Sequence, residues 1–269
     1  TGEIWLRVPE TIRIEINGTL PPNVMSKDVI LRIIGDLTAA GATYRALEFT
    51  GDTVEAMSLS SRMTMANMGI EAGAKCALFA PDEKTAEYLG IELTEAERAL
   101  AGDADAPCER VLRYRAEDFV PVMALPSNVD HVAAIRDLEP VAIDQVFLGS
   151  CTNGRLEDLM AAAEILKGKH IAPFVKLIVT PASRKIWEEA EANGTLAILS
   201  AAGAMITHPS CGLCCGRTGG ILSDGERVVA TNNRNFLGRM GSSKVEIYLA
   251  SPKSAAASAL AGKLTEATC

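Results

Sequence analysis

The chain has 269 residues, of which 48% are hydrophobic and only 4% aromatic, and its formal net charge is −8. That length gives one large or two ordinary domains with a proper core, and the apolar content is mostly Ala, Leu, Ile and Val, as in domains of helices and parallel sheet. The acidic balance argues against nucleic-acid or membrane-surface binding, which rests on clustered Lys and Arg, and no stretch is long and apolar enough to span a bilayer.

The N-terminus, TGEIWLRVPE, lacks a basic-then-apolar signal pattern. Residues 11–17, TIRIEIN, alternate apolar and polar, which predicts a strand with one wet face. Asn17-Gly18 and Pro21-Pro22 punctuate it. Ser26 is placed to cap a helix carrying Val29, Ile30, Ile33, Ile34 and Leu37, stopped by Gly41. Arg45–Phe49 reads as a strand, residues 53–72 as a helix, and residues 75–80 as a second short strand. This alternation predicts parallel pairing.

The stretch from Gly90 to Arg115 is charged and Ala-rich, and reads as a peripheral helix and loop before a domain boundary. The second half starts near Val120. Asp144–Gly149 is a short buried strand, residues 155–166 a helix, and residues 175–180 another strand. A helix runs on to Ala192. Further strands follow at 204–207, 228–231 and 245–250. Ser251 and Pro252 open a closing helix, proline being favoured in a first turn.

The seven cysteines are Cys76, Cys108, Cys151, Cys211, Cys214, Cys215 and Cys269. An odd count in a chain this long does not resemble a secreted disulfide scaffold. A cytoplasmic setting is expected, where clustered thiols hold metal or do redox chemistry. Cys151 follows the strand of FLGSCTNG, at a carboxyl end where open α/β sheets build their sites. Asn153 or Thr152 is placed to cap the next helix, whose N-terminus would favour a thiolate. Much later, HPSCGLCCGR carries the C-x-x-C pair Cys211 and Cys214. On residues alone several readings remain open. Cys151 could be a core thiol, and the pair could bind zinc with Cys215 or His208 as a further ligand. A redox pair and an iron–sulfur cluster also fit.

Taken together, GSCTNGRLEDL, PSCGLCCG, ATNNRNFLGR and YLASPKSAAASALAG resemble the aconitase superfamily, and most closely its large subunits of the isopropylmalate isomerase and homoaconitase-like branch. VPETIRIEINGTL, SKDVILRIIGDL, LEFTGDTVEAMS and ANMGIEAGAKCALFAPDEKT carry the resemblance through the first half. It implies an α/β fold of two three-layer α/β/α domains with mainly parallel sheets, over residues 1–118 and 119–269. It also implies a 4Fe–4S cluster held by Cys151, Cys211 and Cys214, with one iron open to substrate. Arg234 and Arg239 would grip a di- or tricarboxylate bidentately. Asn233 and Asn153 would support the cluster's surroundings. Glu48, in LEFTG, would be the catalytic glutamate.

The implied activity is a hydro-lyase reaction in leucine biosynthesis. It converts 2-isopropylmalate to 3-isopropylmalate by dehydration and rehydration. Relatives apply the same chemistry to homocitrate, 2-methylmalate or 2,3-dimethylmalate. Some relatives that lose the cluster bind RNA, and the acidic charge counts against that role here. Two departures from the family pattern stand out: Cys215 replaces a usual aliphatic residue, and Ser210 a usual Ala or Gly. Cys76, Cys108, Cys269, His131, His170 and His208 have no matching role. The family's large subunit carries a further N-terminal domain with active-site Asp and His residues, and a separate small subunit supplies a serine, an arginine and selectivity. The chain is therefore expected to be part of a larger subunit and inactive by itself.

Overall fold

The structure is a computed structural model that describes residues 2–103 and 105–268; Cys269 lies outside them. Two sheets organise the chain. The first takes β1 (Glu10–Asn17), β2 (Arg45–Thr50), β3 (Cys76–Phe79) and β4 (Arg110–Arg115), in the order β3-β2-β1-β4, all parallel. The second contains β5 (Val122–Ala124), β6 (Val132–Ala134), β7 (Gln145–Gly149), β8 (Lys176–Thr180), β9 (Ala204–Ile206), β10 (Arg227–Ala230) and β11 (Glu246–Leu249). Its order is β6-β5-β11-β10-β7-β8-β9, parallel except for β5 and β6 at one edge. Helices α1 (Ser26–Leu37), α2 (Asp52–Ala56), α3 (Leu59–Met68), α4 (Glu83–Leu89) and α5 (Glu95–Arg98) belong to the first half. Helices α6 (Ser150–Asn153), α7 (Leu156–Leu166), α8 (Arg184–Ala192), α9 (Thr195–Ala201) and α10 (Pro252–Ala261) belong to the second. Among the described residues no helix is long and apolar enough to cross a membrane.

Strand alternation divides the core. Val146, Leu148, Val229 and Tyr248 face one way and pack with Leu159 and Ala162 of α7 and Ala255 and Ala259 of α10. Phe147, Val228, Ala230 and Ile247 face the other way. They share one apolar cluster with Ile12, Ile14 and Ile16 of β1 and with Val29, Ile30, Ile33 and Ile34 of α1. Helix α1 thus serves both halves, and it is buried nearly all round, Lys27 and Asp28 included. Its solvent face is narrow, carrying the exposed Arg32–Asp36 pair, and the first turn with Lys27 and Asp28 has none.

Several local expectations need correction. Met25, not Ser26, is the N-cap of α1. The Asp28 carboxylate accepts the Met25 amide at 2.9 Å and the Val122 amide at 3.1 Å, so it does the capping and pins β5 as well. The helix ends at Leu37, where Thr38 takes a positive φ of 68°, before Gly41 is reached. The single helix expected over 53–72 is two helices and a 3-10 turn, Gly69–Ala72, because the Ser58 hydroxyl caps a new start at the Ser61 amide. The charged stretch before residue 115 ends in β4, an edge strand whose polar residues stay wet. Neither Thr152 nor Asn153 caps α7. They lie within α6, and Asp158 accepts the Arg155 amide instead. Helix α9 follows α8 as a separate element, and β5 and β6 are three-residue strands.

Replacing Asp28 by Ala leaves two buried amides without an acceptor, at about 1–3 kcal/mol each. The variant should show a correspondingly lower urea midpoint with an unchanged m-value. Asp28→Asn keeps one acceptor oxygen and should lose less.

Candidate active site

The chain runs from β7 outward to β8 and β9 on one side, and from β10 to β11 on the other. The reversal lies between β7 and β10, and open parallel sheets form their crevice at the carboxyl ends of such neighbours. The loop after β7 carries Cys151 and the loop after β10 carries Asn232–Arg239. Their starts are tied together. The Thr231 hydroxyl accepts the Gly149 amide at 2.8 Å and donates to the Gly149 carbonyl at 3.1 Å.

Gly149 turns the chain sharply, with φ 147°, and a Cβ there would stand 2.2 Å from the Thr180 carbonyl oxygen. Ser150 follows with φ 76°, a left-handed conformation that costs a non-glycine residue about 1–3 kcal/mol. This strained turn presents Cys151, which is exposed and not the core thiol it could have been. Thr152, buried beside it, accepts from the Thr64 hydroxyl through its carbonyl (2.8 Å) and donates its own hydroxyl to Asn67 Oδ1 (3.0 Å). Asn67 Nδ2 then lies 3.8 Å from Cys151 Sγ.

Cys211 and Cys214 sit on the segment after β9. Cys214 lies in a 3-10 turn, Gly212–Cys215, anchored by buried Leu213. Cys211 is exposed and Cys214 buried, and both are free thiols. Gly216 closes the turn at φ 64°, where a Cβ would meet Arg239 O and Gly241 N at 3.2 Å. The cysteine turn therefore packs on the arginine loop, and Arg239 Nη2 lies 3.6 Å from Cys214 Sγ. Cys215 Sγ contacts the Gly212 carbonyl within its own turn. His208 stacks on Trp187.

The first half supplies a carboxylate that the sequence did not single out. Glu71, on the 3-10 turn after α3, accepts Arg234 Nε at 2.9 Å and Asn233 Nδ2 at 3.4 Å. Asn233 also reaches Asn67 Oδ1 at 3.4 Å. Its partners are thus Asn67 and Glu71. Cys151, Asn67, Asn233, Glu71 and Arg234 form one connected chain of contacts. Glu48 is elsewhere. It lies in the middle of β2, paired to Arg13 at 2.9 Å and covered by the loop at Gly102. Its partners are a strand neighbour and that loop, and the cysteines are on other elements. Asn67 and Glu71 are four apart in ANMGIEAG, a spacing that puts two side chains on one helical side.

Among the described residues, four buried side-chain atoms have no hydrogen-bond partner: Asn153 Oδ1, Arg155 Nε, Asn232 Oδ1 and Arg239 Nε. All four belong to the two loops of the crevice. Buried polar atoms are nearly always paired, so this concentration marks a place built around a polar or ionic guest. No three His, Cys, Asp or Glu side chains among the described residues come together around a single ion, which a zinc site would require. A cluster takes each thiolate at a different iron, so its ligands stand further apart. Three free thiols on two loops and amide and guanidinium N–H groups facing two of the sulfurs suit that donor set.

Beneath the loops lie three buried charges. Burial pushes the Lys27 ammonium down to about 7, against the pull of Asp158, Cys214, Glu71 and Asp28. Burial likewise pushes Asp158 up to about 7, although Asn153 and the Arg155 amide donate to it, and Asp28 up to about 6.

The profile of the aconitase family (aconitate hydratase) matches residues 1–142 and 126–262. The chain is 49% identical over 266 residues to 3-isopropylmalate dehydratase large subunit 1 of Methanopyrus kandleri, covering 99% of this chain and 64% of that protein. It is 47% identical to large subunit 2 of Archaeoglobus fulgidus, covering 98% and 64%. The chain therefore spans about 64% of the length of these relatives. A solved structure, Thermococcus kodakaraensis aconitase X in its holo-form, aligns with a TM-score of 0.45 at 14% identity, over 88% of this chain and 53% of that one.

In the metal-free protein, iodoacetamide should label Cys151 and Cys211 well before Cys214, since burial withholds the last thiol from reagent. Peptide mass spectrometry over a time course reads the order. Early labelling of Cys214 would contradict the packed turn.

Proposed function

The chain belongs to the aconitase family, and we propose that it forms the cluster-bearing part of a 3-isopropylmalate dehydratase large subunit, acting with a small subunit on a branched hydroxy-dicarboxylate. Membership of the family implies an iron–sulfur cluster. The names of the relatives support the substrate and the partner. The observation that carries the reading is the crevice itself, where the loops after β7 and β10 and the segment after β9 carry free thiols, two arginines and four unpartnered buried polar atoms.

In this reading Cys151, Cys211 and Cys214 hold a 4Fe–4S cluster. When bound, the cluster supplies a Lewis-acidic iron with an open position that polarises the substrate hydroxyl. Asn67 and Arg239 direct N–H groups at the Cys151 and Cys214 sulfurs, contacts that orient the two sulfurs as ligands. Arg234 uses its Nε on Glu71, so both Nη groups remain to take a carboxylate as a fork. Arg239 holds an unpaired Nε beside Cys214 and lies over the Phe236 ring at 5.5 Å, which fixes the plane of its guanidinium.

Glu71 replaces Glu48 as the acid/base candidate. Its side chain is 12% exposed, held by Arg234, and in contact with the network that reaches Cys151. It takes the proton from the carbon next to the hydroxyl-bearing one and passes it to the departing hydroxide, so that water is released. On readdition it takes a proton from that water and delivers it to the other carbon, with the opposite regiochemistry. Glu48, paired to Arg13 in β2, keeps a structural role.

Three measurements test this. Anaerobic reconstitution with iron and sulfide should give a brown protein, and Cys151→Ser, Cys211→Ser or Cys214→Ser should each lose the visible absorbance while Cys215→Ser keeps it. In the complete enzyme, Glu71→Gln should lower kcat by about 10²–10⁴, the range for a lost acid/base group, while Glu48→Gln leaves it near the parent. Arg234→Lys and Arg239→Lys should each lower kcat/KM by about ten- to a hundredfold, as loss of a charge-assisted fork implies. A brown Cys214→Ser protein, or equal effects at Glu48 and Glu71, would refute the assignment.

A further inference from the structure

Lys27 is 0% exposed on a helix of the first half, yet its Nζ donates to two consecutive carbonyl oxygens of the second half, Thr231 at 3.0 Å and Asn232 at 2.6 Å. Strand β10 ends at Ala230, so the clamped carbonyls are the first two after the strand releases the chain. The next residues are Asn233 and Arg234, whose side chains go to Asn67 and Glu71. The other anchors of this stretch are the Thr231 amide on the Phe147 carbonyl at 3.0 Å, the Thr231 hydroxyl on Gly149, the Asn232 side-chain amide on the Arg234 carbonyl at 3.2 Å and the Asn235 side-chain amide on the Leu125 carbonyl at 2.8 Å. Lys27 alone among these comes from the first half, as Glu71 does.

We propose that Lys27 is a positioning residue: by clamping the Thr231 and Asn232 carbonyls it sets the arginine loop against the element that carries Glu71, and so fixes where Arg234 presents its fork. The inference rests on the dehydratase reading for the identity of the substrate and on geometry for the clamp. An ammonium buried on carbonyls, without a hydrogen-bonded carboxylate, is a poor device for stability, because a well-packed apolar side chain avoids its desolvation. Two converging carbonyls, in contrast, are held in one geometry that an apolar side chain cannot impose.

The test uses the complete enzyme with Lys27→Met, and Lys27→Gln should the first fail to fold. Amide hydrogen exchange without substrate should speed up roughly tenfold or more for 233–239, as lost charge-assisted hydrogen bonds imply, while β7, β10 and the rest of α1 stay protected. In turnover, KM for the dicarboxylate should rise by a similar factor with kcat changed much less. Exchange of 233–239 at the parent rate would overturn the proposal. So would loosening spread evenly through α1 and the first sheet, the sign of a merely structural lysine, or an unchanged KM in a loosened loop. Because the exchange arm needs no substrate, a loosened loop in an enzyme whose parent lacks dehydratase activity would sink the functional reading and leave the clamp intact.

Discussion

The first turn of α1 is packed from both sides and has nowhere to put a polar residue except against another element, and that constraint shapes the molecule. The apolar residues of the helix join the β1 side of the core to the β7, β10 and β11 side. The two halves thus share a cluster that the helix completes, while the other face of the second sheet packs a cluster of its own. Lys27 and Asp28, at the first turn of the helix, are carried inside with it. Desolvation opposes both charges, so each needs well-aimed partners. Asp28 finds amides of Met25 and Val122; Lys27 finds carbonyls of Thr231 and Asn232. The packing that stabilises the fold therefore also fixes the relative placement of the two halves at the crevice.

That placement decides which groups meet. The second sheet supplies the thiols and arginines, on the loops after β7 and β10, neighbours at a reversal of order, and on the segment after edge strand β9. It supplies no carboxylate to face Arg234. The carboxylate comes from the end of α3, which packs on α6 through Thr64 and Thr152. A shift of α3 along α6 would separate Asn67 from Cys151 and Glu71 from Arg234 together, because both residues ride on the same short stretch. The site is therefore a product of the interface between halves, and the buried hydrogen bonds across it are in a low-dielectric setting where they hold geometry strongly.

Much of this was legible in the sequence. The alternation of TIRIEIN, the apolar run of β7 and the C-x-x-C pair gave the first strand, the crevice strand and the thiols without any contact being known. Asn233, Arg234 and Arg239 were named through the resemblance carried by ATNNRNFLGR, and all three lie on the loop after β10. Glu48 and Glu71 could not be separated in this way. Each precedes a glycine-containing turn, and only packing tells a mid-strand carboxylate paired to Arg13 from one that meets the arginine loop. The spacing of Asn67 and Glu71 was the available signal, but it has force only once α3 is known to face Cys151. β4 was hidden for a different reason: as an edge strand it can carry Arg110, Arg113 and Arg115, and its composition reads as loop.

A crevice that merely filled the space between two halves would bury paired or apolar groups. Here the unsatisfied atoms are Asn153 and Arg155 on one loop and Asn232 and Arg239 on the other, flanking Cys151 and facing Cys214. Two are guanidinium donors and two are amide acceptors, so what fills the crevice must both accept hydrogen bonds and donate them. In the proposed reading the cluster's sulfides and the substrate's carboxylates accept and water donates, whereas an apolar ligand does neither. The strained Ser150 turn points the same way, since a left-handed serine next to an exposed thiol persists only where the surroundings force it.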